Sequence, residues 1–600
     1  MAVPKEPLGP DVAHNEIVLA DAEKDHRVHV SSEQNVREQL EGIRMNFRTI
    51  LAIVSLAVTY EALLFSFVLP AAILLTINKD IGPSAQITWI ATSWTLASAV
   101  LQTIAGRCSD IFGRRNFFIA GNLIAVVGCS IACRASSVNT VISGTVLMGF
   151  GAGLQFLSFA ASAEIVPKKQ RGVVMGSFSL VSLPGSTFGS VIAYAIVAHL
   201  SWRWTFYLGI IINALALLLV VVFYWPPDFV ELHPEGKTRF GQFKELDFVG
   251  LLLFGGGLTS FLLGISFGGN PYPWRSAIVV APTVIGGIAF LVAFPLWEIH
   301  APKNTAKLCP PEVVKNVRGV TLPMLVMFVS GMTLMSLQVF WPQQVQLLFT
   351  QDPTMIGWYS LAYNATATAG TVIGGGLFAI IRRTKYQFIG YVWFQTVFIS
   401  LMATVNQNTP AKAIVFVGLA SFAIGASQTL AIVIVGLGAD DKHIGVAVGL
   451  LNSLRSTGGA VGIAIYSSLF SNKISRELVP KVATAIVQAG LPVTSVEAFL
   501  VALTSGVPPS VEFVPGITPE IFAAGVDAMK DVYASGFRLI YLVGMAFGLL
   551  ACLGVCFVGS VDSKLTKQIA VKVDRPHIIS HGKPDTKVLD NKEPAEAIDH

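Results

Sequence analysis

Charge is what this 600-residue chain has least of: Lys, Arg, Asp and Glu together make up 13% of it, about half the share that a water-facing protein carries. That excludes an ordinary soluble enzyme and a charge-rich disordered chain. The 41 basic and 36 acidic side chains balance too closely over this length to form a nucleic-acid footprint, so no nucleic-acid partner is expected. Cysteine is scarce as well. Cys108, Cys129, Cys133, Cys309, Cys552 and Cys556 lie mostly inside apolar runs, without CxxC spacing, which argues against a disulfide framework and a metal module. No metal is expected. The first 48 residues contain no apolar leader core, so no cleavable signal peptide is expected either.

Apolar length is what the chain has in excess. Hydrophobic residues make up 53% of it and the mean hydropathy is +0.65, which points to lipid as the main solvent. About 20 apolar residues cross a bilayer as a helix, and fourteen such runs are legible, the first at 49–77, the fifth at 172–199 and the last two at 443–471 and 535–559. No alternating barrel pattern accompanies them, so the expected fold is an all-α membrane protein. With the N-terminus in the cytoplasm, cytoplasmic segments hold 30 Lys and Arg and external ones 9, which places both termini inside. The expected organisation is a cytoplasmic tail 1–48, a six-helix bundle 49–225, a linker with two extra membrane helices 226–318, a second six-helix bundle 319–559 including a long external loop 472–534, and a cytoplasmic tail 560–600.

No phosphate cradle is present, because Gly236-Lys237-Thr238 has Glu231 where the first P-loop glycine belongs. Nor is there an HExxH or another enzymatic constellation. The chain is read as a non-enzyme without cofactor, in which transport draws on an ion gradient or runs downhill. Between the second and third runs stands Gly106-Arg107-Cys108-Ser109-Asp110-Ile111-Phe112-Gly113-Arg114-Arg115. Its glycines suit a tight turn, and its charges alone would merely obey the positive-inside rule. At this location it resembles the GxxxDxxGRR signature of the major facilitator superfamily. Glu61 to Pro70 resembles the first-helix motif DxTxxNxALP of fourteen-span drug:proton antiporters, with Glu61 for the aspartate and Pro70 kept. Trp202-Arg203-Trp204-Thr205-Phe206 resembles the family's WRWxF segment. Trp341-Pro342-Gln343-Gln344 and Leu454-Arg455-Ser456-Thr457-Gly458-Gly459 look like the fungal trichothecene efflux pump family, to which fungal siderophore transporters are close relatives.

The resemblance covers about residues 45–560. It implies a major facilitator fold with helices arranged 6+2+6, and proton-driven export of bulky hydrophobic metabolites, mycotoxins or drugs by alternating access. Uptake of ferric siderophores is the alternative. A membrane receptor that binds without translocating is the reading from another class. Two motifs depart from the antiporter pattern: Thr145 stands where the fourth-helix RxxxGxG has its arginine, and Ser190 replaces the proline of the fifth-helix motif that keeps Gly176, Gly185 and Gly189. Those glycines and Pro184 are expected to bend the helix. Gly374 to Arg382-Arg383 repeats the spacing of Gly106 to Arg114-Arg115 with Phe378 in place of the acid, as two parallel halves would produce.

A charge in hydrocarbon costs about 2.5–3.5 kcal/mol on insertion scales, and two ionisable residues sit at mid-run, Glu61 and Arg455. Both are assigned to proton coupling. Glu61 takes up a proton from one side and releases it to the other; Arg455 pairs with Glu61, attracts an anionic substrate or bonds to carbonyls exposed by Gly458 and Gly459. Gly106, Arg107, Asp110, Gly113, Arg114 and Arg115 are expected to latch one access state. Trp94, Gln155, Gln338, Trp341, Gln343, Asn364 and Gln428 are the expected substrate cavity, since aromatic faces and amides suit bulky, weakly polar compounds. The expected partners are the lipid bilayer, protons and a small hydrophobic organic substrate. The protein is expected as a monomer in the plasma membrane, with the vacuolar membrane as the alternative.

Overall fold

The structure, a computed structural model, describes residues 47–84, 86–165, 178, 180–226, 246–268, 272–302, 307–309, 311–381, 383–439, 444–505 and 514–561. The tails expected at 1–48 and 560–600 fall almost wholly outside them. Among the described residues there is no β-strand. The chain opens with α1 (Phe47–Ala72), α2 (Leu74–Ile81), α3 (Trp89–Phe112), α4 (Arg114–Cys133), α5 (Val138–Gln155) and α6 (Leu157–Glu164), followed by α7 (Leu183–Ser186), α8 (Gly189–His199) and α9 (Arg203–Phe223). The linker supplies α10 (Phe248–Phe267) and α11 (Ala277–His300), and α12 (Val317–Phe349) follows. Then come α13 (Pro353–Ile381), α14 (Thr384–Met402), α15 (Pro410–Gly438), α16 (Ile444–Gln488), α17 (Val496–Ser505) and α18 (Pro519–Cys556). Nine described helical stretches are long and apolar enough to cross a membrane. Between them lie α3, α13, α14 and α16, of 24, 29, 19 and 45 residues.

Local chemistry sets the starts and breaks. Ser137 accepts the Thr140 amide (3.3 Å) at the start of α5, Asp247 accepts the Gly250 amide (2.8 Å) at the start of α10, and Thr518 precedes Pro519 and accepts the Ile521 amide (3.3 Å) at the start of α18. First-turn amides have no partner inside their own helix and need such acceptors. Gly113 reverses the chain between α3 and α4 at φ +90°, a conformation that a Cβ penalises. The first run is not one rod: Pro70 has no N–H to donate and crowds the preceding turn, and the helix yields at Ile73. The fifth run is also broken, by turns at Ser182 and at Thr187–Phe188 on either side of α7.

The segment expected as a loop at 472–534 is mostly helix. α16 runs on to Gln488 and α18 starts at Pro519, so they are roughly 68 and 57 Å long by helical rise, about twice the hydrocarbon thickness. Their protruding ends meet α17 in a small core of Val482, Ile486, Leu491, Phe499, Val514 and Ile521. The prolines and short apolar stretches there give no membrane-length run.

Packing repeats along the chain. α3 lies on α5 as α13 lies on α15, α4 on α9 as α14 on α18, and α1 on α9 as α12 on α18. The two sets meet where α3 packs on α16 and α8 on α13. Backbones touch where α12 crosses α16, since a Cβ on Gly331 would strike the Arg455 backbone and one on Gly458 the Phe328 backbone. α10 and α11 pack on each other, and α10 adds Phe254 and Leu258 to a cluster with Leu96, Met332 and Ala460 at the junction of the halves.

Candidate functional site

Glu61 lies where the sequence expectation puts it, inside the bundle on α1 and only 6% exposed. Its Oε1 accepts the backbone N–H of Gly185 at 2.5 Å, while Oε2 is buried without a hydrogen-bond partner. The break at Ser182 explains the donor. It starts a new helical turn in which Gly185 is the third residue, so the Gly185 amide has no carbonyl behind it and is offered to a carboxylate. A side chain at 185 would be crowded, because a Cβ there would stand 3.0 Å from both Glu61 oxygens and from Leu64 Cβ. Gly185, expected as a bending residue, therefore also holds the buried acid. Gly189 packs against Val68; Gly176 lies outside the described residues.

Arg455 is 8% exposed on α16. It forms no ion pair with Glu61 and makes no hydrogen bond to the carbonyls near Gly458 and Gly459. Those glycines are occupied by close approach of α12, which corrects the expected carbonyl contact. Arg455 Nε has no partner, and the titratable groups within electrostatic reach are Tyr60 and Tyr363. Tyr60 adjoins an aromatic wall: its ring lies 6.3 Å from Phe156, which lies 6.4 Å from Trp94, which stacks on Phe67 at 4.5 Å.

Of the seven expected cavity residues, three are bonded to other parts of the protein. Gln155 is a clamp, donating from Nε2 to Asn122 Oδ1 (2.9 Å) and Asn213 Oδ1 (2.8 Å). Trp341 donates to the Tyr359 carbonyl (3.1 Å) and Asn364 to Ser190 Oγ across the halves (3.0 Å). Three helices need polar ties here because lipid supplies no partner for a buried amide. Trp94 Nε1, Gln338 Nε2 and Gln343 Nε2 are buried donors without partners, as a ligand-facing group would be. Gln428 is half-buried. A cavity of about 20 Å³ bounded by Thr333, Ser336, Phe340, Tyr466 and Tyr541 is lined by none of the seven. Sequence reasoning missed Tyr60, Phe156 and Tyr363, whose aromatic identity in an apolar run carries no signal. It also missed Asn122 and Asn213, whose amides inside runs were a usable one, and the buried acids Asp247 and Glu298, which cap backbone amides.

In the turn motif, Gly106 has open space beside its Cα and Gly113 supplies the reversal. Arg115 does not reach the other half: it donates to the Val221 carbonyl (2.8 Å) and covers the Trp225 ring at 3.5 Å, fastening the end of α9 within its own half. Arg114 has interactions of its own, and the side chains of Arg107 and Asp110 lie outside those described. At the opposite end of the bundle, Trp202 Nε1 (2.8 Å) and Arg203 (2.9 Å) both donate to Asp80 and hold its carboxyl below the usual range.

Two repeated helical sets, meeting around unpaired buried polar groups, define a multi-pass membrane transporter of the major facilitator fold. In fold the chain is similar to an auto-inhibited POT family peptide transporter (TM-score 0.54, 15% identity, 88% of this chain and 98% of that one) and to the POT family transporter PepTSo (TM-score 0.52, 15% identity, 85% and 99%). Residues 11–596 match the fungal trichothecene efflux pump (TRI12) family, and the chain belongs to it. It is 30% identical to the trichothecene efflux pump of Fusarium sporotrichioides over 83% of this chain and 84% of that protein. The corresponding pump of Trichoderma arundinaceum is 30% identical over 92% of each, and an MFS efflux transporter of Aspergillus oryzae 26% identical over 79% and 82%.

Proposed function

We propose that the protein exports bulky, largely apolar metabolites, mycotoxins or drugs by proton-driven alternating access, as a monomer in the plasma membrane with both termini cytoplasmic and helices divided 6+2+6. The observation that carries this reading is the bond from Gly185 to Glu61. An ionised Glu61 is a strong acceptor for that amide; a proton on the carboxyl weakens the bond and loosens the break around α7. The adjoining segment bears the contacts to the second half, Thr187 to Thr368 (3.0 Å) and Ser190 to Asn364. Proton occupancy and closure of the halves are thereby linked through one helix.

The hydrogen bonds seen between the halves lie at the end of the bundle away from the chain termini or near mid-helix: Thr88 with Ser467 (2.5 Å), Ser453 with the Ala99 carbonyl (3.4 Å) and Ser456 with Gln102 (3.5 Å). The first of these bonds supports a state in which the halves are closed at that end. The names of the efflux-pump relatives support export of toxins. The test is transport by purified protein in proteoliposomes under an imposed pH gradient, with a trichothecene and a ferric siderophore as separate cargoes. Gradient-dependent flux of the toxin, lost with a protonophore and in Glu61→Gln, is expected. Flux in Glu61→Gln that still follows the gradient would remove Glu61 from the scheme, and accumulation of the siderophore alone would replace export by uptake.

A further inference from the structure

Arg455 is a buried guanidinium that no group among the described residues neutralises. No carboxylate comes within ion-pair distance, and Nε has no partner. The Tyr363 hydroxyl is already donated to the Leu334 carbonyl (2.7 Å). Glu61 is engaged by Gly185. Removing a cation from water without a counter-ion costs several kcal/mol, so a fold that keeps one there leaves its charge for a ligand to complete. The surroundings describe that ligand. The wall of Tyr60, Phe156, Trp94 and Phe67 is aromatic and apolar, and Tyr60 at its end is within electrostatic reach of Arg455. Trp94 Nε1 on that wall is a second buried donor without a partner.

We propose that Arg455 is a substrate-binding residue: it receives the carboxylate of an amphipathic organic acid whose apolar ring skeleton lies on the Tyr60–Phe156–Trp94 wall. This rests on the transporter reading above, but not on its direction or its proton coupling. A guanidinium fork matches a carboxylate in two places; an ester carbonyl brings no charge, and an amine is repelled.

The test uses the full chain in lipid nanodiscs, without any gradient, and calorimetric titration with dehydroabietic acid, its methyl ester and dehydroabietylamine, three forms of one tricyclic skeleton. Wild type is expected to bind the acid best and the amine least. Arg455→Gln is expected to lower acid affinity about tenfold or more, leaving ester affinity nearly unchanged, which also shows that the variant is folded. Arg455→Lys, the variant to use if the glutamine form does not fold, is expected to keep the acid above the amine at reduced affinity, because it keeps the charge and loses the fork. Equal binding of acid and amine by wild type or by Arg455→Lys, or an undiminished acid preference in Arg455→Gln, overturns the assignment. Acid binding through Arg455 together with gradient-following flux in Glu61→Gln would leave this assignment standing and defeat only the proton scheme.

Discussion

Glu61 and Arg455 are both buried at mid-helix, one in each half, and they form no ion pair. Tyr60 lies within electrostatic reach of both, yet the carboxylate is held by the Gly185 amide and the guanidinium has no counter-ion among the described residues. The two charges are separate devices. Their substitutions are therefore expected to act independently: the stability effects of Glu61→Gln and Arg455→Gln add within about 0.5 kcal/mol in a double-mutant cycle of thermal unfolding. A coupling above about 1 kcal/mol would show that they pair.

Glycine contacts give a graded prediction. Gly331→Ala forces a methyl into the Arg455 backbone and is expected to destabilise by roughly 1–3 kcal/mol. Gly449→Ala, on the same α16 but with nothing within 4 Å of the new methyl, is expected to be neutral or stabilising by up to about 1 kcal/mol. Thermal midpoints in detergent read both. At Gly185 the same change crowds Glu61 and is expected to reduce gradient-driven flux while the protein is still inserted and folded.

Gln155 is expected to matter for stability and not for substrate choice. Gln155→Leu leaves the Asn122 and Asn213 oxygens without their donor, at about 1–3 kcal/mol each, while the ranking of transported compounds stays as in wild type. A changed ranking with an unchanged midpoint would return Gln155 to the substrate path.

Asp80 carries a pH signature. Trp202 and Arg203 favour its ionised form, so its folded-state affinity for protons is depressed. The stability it adds is present above the unfolded value near ~3.9 and fades as pH falls through the folded one. Asp80→Asn is expected to cost less than about 1 kcal/mol at pH 7, since the pair is largely solvated, and the difference from wild type should shrink as the pH is lowered below ~3.9. A difference that does not shrink there would show that the contact is not ionic.

The protruding hairpin is expected to unfold on its own. Phe499 is fully buried there against Gly525, and Phe499→Ala removes roughly 3–5 kcal/mol from a core far smaller than the membrane bundle. Limited proteolysis should then cut between α16 and α18 while the main thermal transition stays in place. Resistance equal to wild type would mean that the hairpin draws its order from the bundle.

The sequence by itself marked apolar stretches long enough for lipid, because hydrocarbon acts on each stretch of some twenty residues separately and leaves a local mark. It also marked the turn at Gly113 and the lone acid Glu61, since a left-handed turn and a charge in an apolar run are both visible without neighbours. Partnership was decided only by the tertiary structure. Whether Gln155 faces a substrate or two asparagines, whether Arg455 meets Glu61, and whether Arg115 reaches across the halves depend on which helices pack side by side at which height. Two polar atoms hydrogen-bond only within a few ångströms, and the pairing of helices far apart in the chain sets that distance.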